Sequence, residues 1–283
     1  MQYFSELSHA VQVLYFGAGL CALWLVISIV GYSTDRRELF GENVWVKALR
    51  FSSSLCIHYC TYAIVLSWLS PSIQTHGVTV FSAYFVLVSL VWIGGYIGVQ
   101  AARGEPSHFN MKTKILRFFD ISMAVVSSFV TAPMAILGTV ALLDEGFMLP
   151  DAVRYAVGLG LIIGTVLTFI SAYHIGVRQN PMFGDKPTYE RRLPVFDWSL
   201  DRGDLRPAHF FSTHMMQALP IIGFLASVIF QQGVAISVVI VVTFLWTKYT
   251  IDIYRNAISG IPFQNAWKIG RRLTQIKIAP HVQ

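Results

Sequence analysis

Apolar residues in this chain come in long runs separated by short polar stretches. Seven windows, at about 10–32, 51–70, 78–101, 115–142, 151–177, 208–230 and 233–254, are long and apolar enough to cross about 30 Å of hydrocarbon as helices rising about 1.5 Å per residue. The pattern predicts an all-α polytopic bundle of seven transmembrane helices over residues 1–255, followed by a tail, 256–283. The connections at 71–77 and 231–232 are tight turns and make their helices antiparallel neighbours. The connection at about 179–207 is long and contains Pro181, Pro187, Pro194, Pro207, Gly184 and Gly203, the composition of a turn-rich loop; such loops carry function or serve as plain linkers. The tail intersperses Phe263, Trp267, Leu273 and Ile276 with Lys268, Arg271, Arg272 and Lys277, the pattern of a helix lying on an anionic membrane surface.

Composition removes the soluble alternative. Of 283 residues, 54% are hydrophobic and 13% charged, against about 25% charged in ordinary globular domains. A polar shell cannot be assembled from so few charges. Lipid is the solvent this sequence suits, and helices meet its demand that backbone groups bond to one another. The three cysteines, Cys21, Cys56 and Cys60, lie inside apolar segments and build no disulfide framework. The N-terminal stretch has no basic flank and no clear small-residue cleavage site, so it is read as part of the mature chain.

A net charge of +6 would fit a nucleic-acid partner if it were gathered in one domain. It is not. Arg36, Arg37, Lys47 and Arg50 surround the first connection, and Arg103, Lys112, Lys114 and Arg117 the third. Arg178, Lys186, Arg191, Arg192, Arg202 and Arg206 surround the fifth; Lys248, Arg255, Lys268, Arg271, Arg272 and Lys277 lie at or after the last span. With seven spans, 20 of the 21 basic residues fall on one side, Arg154 being the exception. The positive-inside rule makes that side cytoplasmic, with the N-terminus outside and the C-terminus in the cytoplasm of a bacterial cell, and leaves no role for nucleic acid.

Polar groups at membrane depth face a bundle interior and commonly have a function. Lys47, Arg50, Ser54, His58 and Thr61 form one stripe at helical spacing; Thr168, Ser171, His174 and Arg178 form another. Arg206, His209, Thr213, His214 and Gln217 open the sixth span, Asp120, Ser127 and Thr131 the fourth, and Lys248, Asp252 and Arg255 close the seventh. Converging stripes would enclose a polar site open to the cytoplasm. Each also has a plainer reading. Hydroxyls bond their own i−4 carbonyls, and Arg50, Arg117, Arg178 and Arg255 can snorkel to lipid phosphates. Lys248 and Asp252 can neutralise each other, and Gly160-x-x-x-Gly164 suits close helix packing.

Histidine carries the candidate chemistry. His58 and His214 each lie about eight residues from the cytoplasmic end of their spans, roughly 12 Å deep on parallel helices. Imidazoles at matched depth supply the two axial ligands of a b-type haem, and Arg206 stands one turn from His209, where it would meet a propionate. His58, His174, His209 and His214 are alternatively a transition-metal set, or hydrogen-bonded core residues. A different class of function, a receptor or carrier for a small anionic cytoplasmic ligand, would use Arg50, Arg178, Arg206 and Lys248.

Two segments resemble motifs of uncharacterised bacterial multi-span proteins. They are Val44-Trp45-Val46-Lys47-Ala48-Leu49-Arg50-Phe51 and Gly203-Asp204-Leu205-Arg206-Pro207-Ala208-His209-Phe210, the latter continuing to His214, Gln217 and Pro220. This resemblance covers two of the seven spans and implies no activity. Ser54-x-x-x-His58 with a later histidine pair is also similar to the seven-span zinc hydrolases of the alkaline ceramidase and adiponectin-receptor type, which implies a zinc-dependent hydrolase. In that superfamily the later pair is His-x-x-x-His in the last span; here it is His209-x-x-x-x-His214 in the sixth, and the third span has no deep acid. His209-x-x-x-x-His214 matches one box of the membrane di-iron desaturases, whose other histidine boxes are missing here. Lys248 stands too near the end of its span for a microbial rhodopsin's retinal lysine. The leading expectation is a histidine-rich, cytoplasm-facing site for haem b or a transition metal, serving electron transfer or cofactor handling.

Overall fold

The computed structural model describes residues 2–108, 110 and 112–265. The described chain is helical apart from turns and two short ribbons. The long helices are α2 (His9–Thr34), α3 (Val46–Ser67), α5 (Gly77–Arg103), α6 (Lys114–Leu143), α7 (Asp151–Arg178), α8 (Leu205–Ile229) and α9 (Gln232–Ile258), with single-turn helices α1 (Gln2–Ser5) and α4 (Pro71–Gln74). Six of them, all but α3, are long and apolar enough to cross a membrane. Ser52, Ser53, Ser54, His58 and Thr61 dilute the hydropathy of α3, so composition counts six where the run lengths predict seven. The chain is a multi-pass membrane protein. Its helices turn large apolar side chains outward, among them Phe16, Leu23 and Val26 on α2, Phe81 and Val88 on α5, and Phe224 and Val228 on α8. Water would not tolerate so much exposed apolar surface, and acyl chains solvate it.

The chain divides into two compact units, one running to Val166 and including Met215–Ile240, the other Leu167–His214 with the chain from Val241. In the first unit Leu14 and Cys21 of α2, Tyr59 and Leu66 of α3, Leu90 and Ile97 of α5, and Met123 and Met134 of α6 share one buried core with Leu161 and Met216. Gly17 brings α2 close to α3: a Cβ there would stand 2.6 Å from Tyr59 Cδ1. The Tyr59 hydroxyl in turn donates to the Val86 carbonyl of α5. A two-stranded ribbon, β1 (Glu38–Leu39) and β2 (Glu42–Asn43), fills the first connection. At the other ends of the helices, Asp144 accepts from the backbone N–H groups of Ser70 and Gly146 at 2.7 and 3.0 Å. Arg154 is paired with Asp151 at 2.7 Å.

The second unit contains the end of α7, the start of α8, the end of α9 and the long connection. That connection is built, not slack. β3 (Met182–Phe183) pairs antiparallel with β4 (Gly203–Asp204), and Gly203 lies so close to the Ala257 carbonyl that no side chain fits there. Six ion pairs among the described residues tie the loop to itself and to α8, Asp204–Arg206 at 2.7 Å being one. Glu190 binds Arg192 at 2.8 Å and Arg202 at 2.7 Å, Asp197 binds Arg192 at 2.6 Å and Arg206 at 3.1 Å, and Asp201 binds Arg191 at 2.6 Å. The Trp198 ring is ringed by Phe196, Phe210, Phe211 and Phe263 at centroid distances of 4.7–6.5 Å. The expected surface helix at 263–278 lies outside the described residues, apart from its first three.

Candidate binding site

The four membrane histidines are each held by protein groups. His58 belongs to the first unit. It is buried, and its Nε2–H donates to the Val130 carbonyl at 3.1 Å. That carbonyl lies in the turn before Pro133, which has no N–H and crowds the preceding turn of α6. Ser54, one turn earlier on α3, is exposed. His174, His209 and His214 belong to the second unit. The Tyr254 hydroxyl lies 2.8 Å from His174 Nδ1, and the His214 ring packs on Phe210 at a centroid distance of 4.2 Å. The Ser171 hydroxyl lies 3.1 and 3.0 Å from the carbonyls of Leu167 and Thr168 and 3.0 Å from His209 Nδ1, a contact that joins α7 to α8.

A b-type haem or a metal set would need imidazole nitrogens free and facing a shared space. His58 Nε2 and His209 Nδ1 have protein partners and His174 meets Tyr254; a ligating imidazole also commonly bonds protein through its second nitrogen. Among the described residues no three His, Cys, Asp or Glu side chains form a group able to hold a metal ion. Arg206, expected beside a propionate, is taken up by acids of its own unit. Its guanidinium meets Asp204 at 2.7 Å and Asp197 at 3.1 Å, and also donates to the Asp197 carbonyl. The Asp204 side chain is fully buried and also accepts from Ser199 N–H at 3.0 Å.

Two more of the expected anion-binding cations also meet acids. Arg50 meets Glu42 at 2.7 Å and Lys248 meets Asp252 at 2.6 Å. Arg178 stacks over the Phe183 ring at 4.0 Å. A fifth histidine of the basic-residue side, His108, lies in the third connection. Its ring stands 5.5 Å from Phe51, and burial, with the nearby Lys47 charge, pushes its pKa down from 6.5 to about 3. It is a neutral imidazole at physiological pH.

One cavity lies in the second unit. It measures about 340 Å³ and is lined by Leu167, Ile170 and Ser171 of α7, Ala208 and Ser212 of α8, and Thr250, Ile251, Tyr254, Arg255 and Ile258 of α9. This volume is at the lower end of the roughly 300–1,000 Å³ common for ligand pockets. Arg255 is exposed, in the last turn of α9. It has no carboxylate partner among the described residues, and the remaining positions of the chain include no Asp or Glu. A smaller, more open groove of about 300 Å³, lined by Phe169, Ile170, Tyr173 and His174, shares Ile170 with it. This geometry offers a concave, largely apolar body with, in its lining, a cation that has no carboxylate partner among the described residues. No family model matches the chain, no curated protein matches it, and no solved structure matches it, so any functional reading stands on the site itself.

Proposed function

We propose that the chain is a seven-span protein of the bacterial cytoplasmic membrane, N-terminus outside and C-terminus inside, acting as a receptor or carrier for an anionic ligand. The ligand is held where α7 ends, α8 begins and α9 ends. The placement of basic residues supports the orientation. In this reading α3 is the seventh span, its 22 residues reaching about 33 Å. The cavity at Arg255 carries the ligand reading: a guanidinium with no carboxylate partner among the described residues, beside an apolar pocket, favours a negative group there, whereas Arg50, Arg206 and Lys248 already have carboxylates. Thermal unfolding of the purified protein tests it, with anions ranging from inorganic phosphate to long-chain carboxylates and anionic lipids. A midpoint that rises with an anion and no longer rises in Arg255→Gln supports the reading; no response to any anion overturns it.

The competing proposal is a haem b or transition-metal protein using His58, His174, His209 and His214, the seven-span zinc hydrolase included. The same sample decides between them. A Soret band or stoichiometric metal that disappears in His58→Ala or His214→Ala would replace the receptor reading.

A further inference from the structure

Taking the cavity at Arg255 as the ligand site, we propose that its occupant is an anionic phospholipid of the surrounding leaflet, with an acyl chain in the cavity and its phosphate on Arg255. The hydroxyls of the lining decide the character of the ligand's body. Ser171 bonds the carbonyls of Leu167 and Thr168, Ser212 that of Ala208, and Thr250 that of Trp246. The Tyr254 hydroxyl meets His174. With those groups engaged by protein partners, a sugar, nucleotide or amino acid would lose its hydration inside and gain little in return. Leu167, Ile170, Ile251 and Ile258 instead present hydrocarbon.

The head of the ligand follows from Arg255. Thr250 and Ile258, both in the lining, are eight residues apart, so the cavity follows α9 for about 12 Å. Arg255, in the last turn, is where the headgroup layer meets a spanning helix. A guanidinium there binds a phosphate oxygen pair with its fork of N–H donors. The adjoining groove at Ile170 offers room for the second chain of a diacyl lipid. The flanks of both are already surfaces suited to lipid: Tyr173 and Val177 on α7 and Phe244 and Leu245 on α9 are exposed and apolar. A lipid therefore reaches the site sideways, without leaving the membrane.

The test uses the full chain in nanodiscs of phosphatidylcholine containing spin-labelled phosphatidylglycerol or spin-labelled phosphatidylcholine. The readout is the motionally restricted fraction of each label. The wild type should restrict phosphatidylglycerol several-fold more than phosphatidylcholine. Arg255→Gln should bring the two labels level, Arg255→Lys should keep most of the preference, and Ile251→Trp, which fills the cavity, should lower restriction of both. Arg255 is exposed, so its variants fold, and unchanged melting verifies this for Ile251→Trp. A preference that survives Arg255→Gln overturns the lipid site. If inorganic phosphate stabilises the protein as strongly as phosphatidylglycerol, through Arg255, the lipid inference falls while the receptor reading stands. If neither probe responds, both fall.

Discussion

Gly17 faces the Tyr59 ring at a distance no added carbon can share, so Gly17→Ala must push that ring off its bond to Val86. A cost of about 1–3 kcal/mol is expected for such overpacking. Gly19, on the same helix, has nothing within 4 Å of its added Cβ, and Gly19→Ala should be neutral or stabilising by up to about 1 kcal/mol. Thermal unfolding of the two variants in one detergent checks both. At this scale the sequence yields positions and withholds partners. His174 and His209 are legible as inner-half histidines, but Tyr254 is 80 residues from His174 and Ser171 is 38 from His209, and no spacing rule links them. Arg255 is legible only as a cation near a helix end, because its significance depends on a cavity made by three helices. His108 titrates far below its ordinary value. Since the folded form binds its proton less tightly, its contribution to stability is full above pH 6.5 and declines as pH falls toward 3. His108→Asn should flatten that part of a stability–pH profile.

The long connection between α7 and α8 shows what a loop gains from opposed charges at close spacing. Its prolines and glycines announce turns, and counting only its basic residues for topology hides the acids that hold it. Asp204 stands two residues before Arg206 and binds it, which is readable in the Gly203-Asp204-Leu205-Arg206 run; the Glu190–Arg202 pair is not, since the β3–β4 ribbon sets that register. Burial alone would raise the Glu190 pKa, but the bonds from Arg202, Ser199 and Arg192 outweigh it and hold the carboxyl at about 2 against an ordinary 4.5. A depressed carboxylate stabilises the fold above its unfolded value, so this support should fade as pH falls from about 4.5 toward 2. Limited proteolysis of the loop should accelerate over that interval, and Glu190→Gln should make cleavage fast at every pH. Asp204→Asn leaves Arg206 without its closest carboxylate and should cost on the order of 3 kcal/mol, read as an earlier unfolding midpoint.

For the molecule as a whole, run length and composition locate the long helices to within a few residues, because lipid demands continuous apolar helix and permits little else. Only α3 departs, and for a chemical reason: its serines and histidine suit a helix packed by others better than one facing acyl chains. Orientation is tested by cysteine accessibility in intact cells. Gln74 is buried, bonded to the carbonyls of Ser67 and Leu69, so Thr75→Cys and Gln232→Cys, both exposed, are the outer probes and Tyr189→Cys the inner one. The first two should react with an impermeant maleimide and the third only after permeabilisation; outside labelling at 189 would refute the seven-span orientation.

Neither compact unit is a continuous piece of chain. The first closes with Met215–Ile240, after the loop of the second has already been made, and the second waits for residues beyond Val241. During synthesis the two are therefore nested, and the early helices are in place long before either unit is complete. Met216 joins a core whose other members lie between Ala10 and Leu161, so that core remains unfinished for some 50 residues of elongation, roughly 3–10 s at ordinary translation speeds. A partly made chain depends in that interval on the insertion machinery and its chaperones. A ribosome stalled after residue 190 should leave a nascent chain that quality-control proteases remove quickly, and one stalled well beyond 258 a chain that resists them; pulse–chase lifetimes of the two arrested products measure the difference.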